Sequence, residues 1–149
     1  MKINIMVLIA ASTLFLVGCV STKQFVPFPD QTKTVEDPTK ARIYVMRPST
    51  LARAISMVVR DNEKIIGSTG AQGFLCWERE PGYVVISSKA ENTSTINIPV
   101  QAGQVYYIYQ RLGMGLLEAR NKMKIVTEDK GRQILLDECK PPKLEISSP

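Results

Sequence analysis

Three cysteines, Cys19, Cys76 and Cys139, are the residues best equipped for covalent chemistry, and their surroundings limit what they can do. A thiolate attacks carbon or binds metal, but Cys and Ser nucleophiles usually borrow a base from histidine, and the 149 residues contain none. The same absence removes His-ligated zinc and imidazole proton shuttles, and two separated sulfurs without CxxC spacing do not make a tetrahedral ligand set. The neighbouring acids Glu78 with Glu80 and Asp137 with Glu138 adjoin no cluster suited to acid–base work. A non-enzymatic protein without cofactor or metal is the expectation.

Two further features suit binding. Arg120, Lys122 and Lys124 alternate, so a strand would point all three to one side, away from Met123 and Ile125. With 19 Lys plus Arg against 14 Asp plus Glu, a net charge of +5 lets this basic face meet an anionic surface, or stay a solvated outer face. Ahead of it, Leu112-Gly113-Met114-Gly115-Leu116-Leu117 is apolar and glycine-rich but lacks the Lys-Ser/Thr of a phosphate loop. Met114, Leu116, Arg120, Lys122 and Lys124 therefore form the candidate partner surface. No aromatic interleaving supports nucleic acid as the partner.

At the amino terminus, Lys2 precedes an uncharged, mostly apolar run from Ile3 to Val17. That run has the length of a secretory signal's hydrophobic region and falls short of the roughly 20 residues of a spanning helix. Its ending, Leu16-Val17-Gly18-Cys19, resembles the lipobox of bacterial lipoproteins. The resemblance implies that residues 1–18 are a signal peptide and that Cys19 receives diacylglycerol plus an amide-linked acyl chain such as palmitate. Two chains hold a protein stably on a bilayer, since each buried methylene contributes about 0.8 kcal/mol. Val20 at the following position, instead of Asp, implies the outer membrane, facing the periplasm. The expected partners are thus the membrane, through the N-terminal lipid, and an envelope protein. In that oxidising compartment a Cys76–Cys139 disulfide is the preferred reading; the other is a buried Cys76 beside Leu75 and Trp77 with Cys139 free.

Residues 19–40, with Pro27, Pro29 and Pro38 and no apolar period, read as a lipidated cysteine and an extended tether. From 41 the pattern turns to short alternating runs: 41–47, 55–60, 63–67, 73–78, 83–90, 94–100, 105–111 and 122–127. Asp61-Asn62 tolerates positive φ and predicts a hairpin. Seven or eight short strands predict a mainly β domain over 41–140, an antiparallel β-sandwich. Its expected core is Ile43, Val45, Val58, Ile66, Phe74, Val84, Ile86, Ile96, Ile98, Tyr107, Ile108 and Ile125. Residues 132–138 read as a short C-terminal helix stopped by Pro141-Pro142, and 141–149 as a disordered tail.

Several pieces carry a resemblance in their order and spacing: Ala41-Arg-Ile-Tyr-Val-Met-Arg-Pro48, the Arg60 to Gly67 hairpin, the Pro81-Gly82 turn before a Val-rich strand, Ala102-Gly-Gln-Val-Tyr-Tyr107 and the acidic-Gly-Arg element at 128–132. Together they resemble the bacterial lipoprotein domain of unknown function numbered 2846. This implies a small β-sandwich-like domain on a lipoprotein and transfers no catalytic residue. The expected role is a membrane-tethered interaction or structural module of the envelope. The alternative is a carrier or sensor of a small lipid or glycan that uses Trp77, Tyr83 and Tyr107.

Overall fold

The computed structural model describes residues 35–114 and 119–140. Cys19, the proposed signal peptide, most of the tether, Leu116 and the 141–149 tail lie outside the described residues. Eight strands run β1 (Ala41–Arg47), β2 (Met57–Asp61), β3 (Lys64–Thr69), β4 (Gly73–Arg79), β5 (Gly82–Lys89), β6 (Thr93–Val100), β7 (Val105–Met114) and β8 (Ala119–Val126), followed by helix α1 (Glu128–Asp137). They form two four-stranded sheets, ordered β4-β1-β7-β8 and β3-β2-β5-β6, so the mainly β sandwich is the architecture. The chain passes between the sheets after β1, β3, β4 and β6, which places β1 in the middle of the first sheet. There it pairs antiparallel with β4 but parallel with β7, a departure from the all-antiparallel expectation.

Apolar alternation builds the space between the sheets. Ile43, Val45, Leu75, Trp77 and Ile108 from the first sheet meet Val59, Ile66, Val84, Ile86, Ile98 and Val100 from the second. The first sheet is also covered on its other face, where Tyr44, Met46, Phe74, Cys76 and Tyr107 pack beneath Ile134, Leu135 and Cys139. That third layer explains why all seven residues of β1 are buried instead of alternate ones. It also corrects the core: Phe74 and Tyr107 face the helix and not the opposite sheet. Ile125 is 47% exposed, and Val59 takes the inward place expected of Val58. Three consecutive apolar residues, Met57-Val58-Val59, leave the phase of β2 open. Asp61, at the inward phase, settles it through its bonds to the first sheet.

The helix begins four residues earlier than 132 because Gly131 fits against the next layer. A Cβ there would lie 2.2 Å from Cγ of Tyr107, so only glycine lets this turn pack flat on the strand. Glu128 and Asp129 then occupy the first turn, where the helix dipole favours acids. The β2–β3 hairpin forms as expected, with Asn62 at φ 51° in its turn.

The expected disulfide is absent: Cys76 and Cys139 are both buried free thiols. Cys139 Sγ lies 3.9 Å from the carbonyl of Gly73. Cys76 stands three residues further along β4, beside Tyr44 and Phe74 in the layer beneath α1. The last residues assigned to the tether also belong to the folded unit. The amides of Glu36 and Asp37 donate to the Glu78 carboxylate at 2.7 and 3.3 Å. The Gly103 amide donates to the Lys40 carbonyl at 2.8 Å.

Candidate functional site

The polar residues fall into two fastenings and one exposed corner. At the end of the sandwich where β1 begins, Asp61 of β2 reaches across to β4. It accepts from Trp77 Nε1 at 2.9 Å and pairs with the Arg79 guanidinium at 2.5 Å. Beside it, on the outer face of the first sheet, Glu78 accepts from Arg42 Nη2 and Nε at 2.8 and 3.1 Å. Burial works against the Glu78 charge, but the bonds from the Glu36 amide, the Arg42 guanidinium and the Asp37 amide outweigh it and hold the carboxyl below its ordinary value.

At the opposite end the fastening is neutral. Thr69 Oγ1 donates to Gln110 Oε1 at 2.6 Å, Gln110 Nε2 donates to Ser88 Oγ at 2.7 Å, and Asn121 Nδ2 donates to the Ser88 carbonyl at 2.7 Å. These four side chains are buried and link β7 and β8 to β3 and β5 across the sheets. Beyond them, Asn92 and Ser94 accept from the edge amides of Asn121 and Met123 at 2.6 and 3.0 Å. Arg47 is fully buried there and donates to the carbonyls of Ile55, Leu51, Ala52 and Thr69, which wraps the 48–56 loop around its guanidinium. Burial alone pushes its pKa down.

The exposed corner lies at this same end, on the outer face of β7 and β8. Tyr109 faces Lys124, Arg111 faces Lys122 and Gly113 faces Arg120 in the cross-strand register. Arg111, Arg120, Lys122 and Lys124 are all exposed, and the Lys124 ammonium sits 5.4 Å from the Tyr109 ring centre. Of the sequence-predicted surface, the structure thus brings Arg120, Lys122 and Lys124 together. Met114 ends β7 opposite Ala119, and Leu116 falls outside the described residues. Sequence reasoning missed Arg111 and Tyr109. The phase of β7 carried the signal, because Tyr107, Tyr109 and Arg111 share one face.

The residues named for a ligand carrier do not converge. Trp77 is buried between the sheets, Tyr107 lies under the helix and Tyr83 is 85% exposed on the second sheet. A separate open groove of about 420 Å³, lined by Ile55, Val58, Arg60, Lys89 and Glu91, runs along the second sheet's outer face. Both thiols are chemically quiet, since burial pushes Cys76 and Cys139 up to about 12. Among the described residues no helix is long and apolar enough to cross a membrane, and no group of three His, Cys, Asp or Glu could hold a metal ion.

The arrangement defines a class: a small β-sandwich backed by one helix, with its inward polar groups spent on joining the sheets. The chain belongs to the family described as protein of unknown function (DUF2846), which matches residues 37–122. The match starts where the chain docks on Glu78 and ends within β8, so α1 lies beyond it. No curated protein and no solved structure matches the chain.

Proposed function

We propose that this protein is a lipid-anchored module of the bacterial envelope, held at the outer membrane through Cys19, whose β domain serves a non-enzymatic interaction or structural role. The observation that carries the reading is the apolar run from Ile3 to Val17, which ends in Leu16-Val17-Gly18-Cys19. Two features of the domain support it. The chain enters through a firm attachment, the Glu36 and Asp37 amides on Glu78, so a pull on the tether is borne by β4 and its neighbour β1. The inward charged groups Asp61 and Arg47 are engaged in joining strands and loops, which suits a scaffold.

Metabolic labelling with a clickable fatty acid, combined with membrane fractionation, tests the anchor. Wild type is expected to carry label and sediment with membranes, and Cys19→Ala to lose both. Retention of label and membrane by Cys19→Ala overturns the reading and makes the Ile3 to Val17 run itself the anchor. In the carrier alternative the outer groove near Val58 and Lys89 is the place for a ligand, and native mass spectrometry of the purified protein would show its retained mass.

A further inference from the structure

We propose that the basic corner of β7 and β8, formed by Arg111, Arg120, Lys122 and Lys124 around Tyr109, docks on the headgroups of net-anionic phospholipids in the membrane to which the protein is tethered. The proposal deepens the tethered-module reading and rests on it for the choice of surface.

Charge placement carries the argument. Arg111 and Lys122 stand directly opposite each other on neighbouring strands, an arrangement that like charges make unfavourable. Arg120 and Lys124 extend the same face to either side of that pair. Arg42 takes the Glu78 carboxylate, Arg79 takes Asp61 and Arg132 takes Glu128. At the corner none of the four cations has an ion-pair partner among the described residues. Lys124 instead lies over an aromatic face, which leaves its charge available on the outer side. A layer of phosphates meets four exposed cations on one flat strand pair without any rearrangement.

Among the described residues no element covers the corner. Helix α1 starts after the end of β8 beside Tyr107 and runs to the far edge of the sheet, where the Lys140 amide donates to the Gln72 carbonyl at 2.7 Å. It therefore crosses the outer face diagonally and does not cover Arg111 or Lys122. The tether is long enough to allow the contact. Residues 19–34 span at most about 55 Å when extended, whereas the strand length from Val105, level with the tether's entry, to Arg111 is about 20 Å.

Lysine acylation read by mass spectrometry gives the test, with full-length protein on vesicles of phosphatidylcholine alone or with phosphatidylglycerol. The expected result is that Lys122 and Lys124 label several-fold more slowly on the anionic vesicles, while Lys64 and Lys89 on the second sheet are unchanged. Arg111→Gln with Arg120→Gln keeps both reporter lysines and should restore most of their labelling. Introduced into the anchor-free Cys19→Ala protein, the same two changes should weaken vesicle binding by about five-fold per charge removed. Equal labelling of all four lysines on both vesicles overturns the proposal, as does protection that the double variant leaves intact. Protection by inorganic phosphate without vesicles replaces the headgroup surface with a soluble phosphate ligand and overturns it too. Cys19→Ala separates the two readings. If it still binds phosphatidylglycerol vesicles at low salt and loses binding when Arg111 and Arg120 are also changed, the corner acts independently of the anchor. Loss of anchoring by Cys19→Ala with no effect of the corner variants leaves the lipoprotein reading standing and removes this one.

Discussion

The two ends of the sandwich are closed by different chemistry. Where β1 begins, charge closes the end: Asp61 of the second sheet holds Arg79 and Trp77 of the first, and within the first sheet Glu78 holds Arg42 and the entering chain. Where β1 ends, amides and hydroxyls do the joining, and even the buried Arg47 is met by carbonyl oxygens. Charged partners are stronger but leave a costly orphan when one is removed, whereas a neutral network loses less and is indifferent to pH and salt. The end where the chain enters at Glu36 and Asp37 is thus the strong and titratable one.

The sharpest way to break this contrast is Asp61→Ala. It strands the Arg79 cation and the Trp77 N–H in a mostly buried place and should cost about 3 kcal/mol in urea unfolding. A loss below about 1 kcal/mol would mean that Asp61 is incidental to closure. At the other end, Gln110→Ala leaves Thr69 and Ser88 with unmatched partners and should cost about 2 kcal/mol, equally at pH 4 and pH 7 and in high salt. A strong pH or salt dependence of that loss would erase the distinction between the ends.

Glu78 sharpens the comparison through acid. Its folded pKa is lowered, so the unfolded chain takes up the proton first as pH falls. The stabilisation is complete above the unfolded value, near 4.3, and is lost as pH drops through the lower folded value. Thermal melts from pH 6 to pH 3 should therefore show a steeper fall for wild type than for Glu78→Gln, by about 1 kcal/mol. Parallel curves would assign the acid sensitivity elsewhere. The smallest effect is expected at the thiols: Cys76 and Cys139 should resist maleimide in the native state, and both should react once urea unfolds the protein. Fast native labelling of either would show that the layer under α1 opens locally.

Much of the fold was legible because strands announce themselves by alternation and turn residues. The runs at 73–78, 83–90 and 94–100 match β4, β5 and β6 to within a residue or two. What was not legible depended on partners far along the chain. The parallel pairing of β1 with β7 has no local pattern, and the helical cover over Tyr44 and Phe74 makes an outer face look like a core. Gly131 reads as a turn until Tyr107 is placed beneath it. The neutral fastening left a faint trace, since Gln110 interrupts the inward series Tyr106, Ile108 and Leu112. The charged fastening left less, because Asp61 sits where a hairpin turn already explains an aspartate. For the candidate surface, the spacing of Arg120, Lys122 and Lys124 was enough, while Arg111 and Tyr109 emerged only from the register between β7 and β8.

The central position of β1 also bears on how the chain reaches its native state. The first strand among the described residues, β1, finds one neighbour in β4 and the other only in β7, so Arg42 must wait for Val105. Both pairings are distant in sequence, and closing such loops before any contact rewards it slows folding. A portion of this domain that ends before β7 lacks one of the two neighbours of β1 and so has no finished first sheet to settle into.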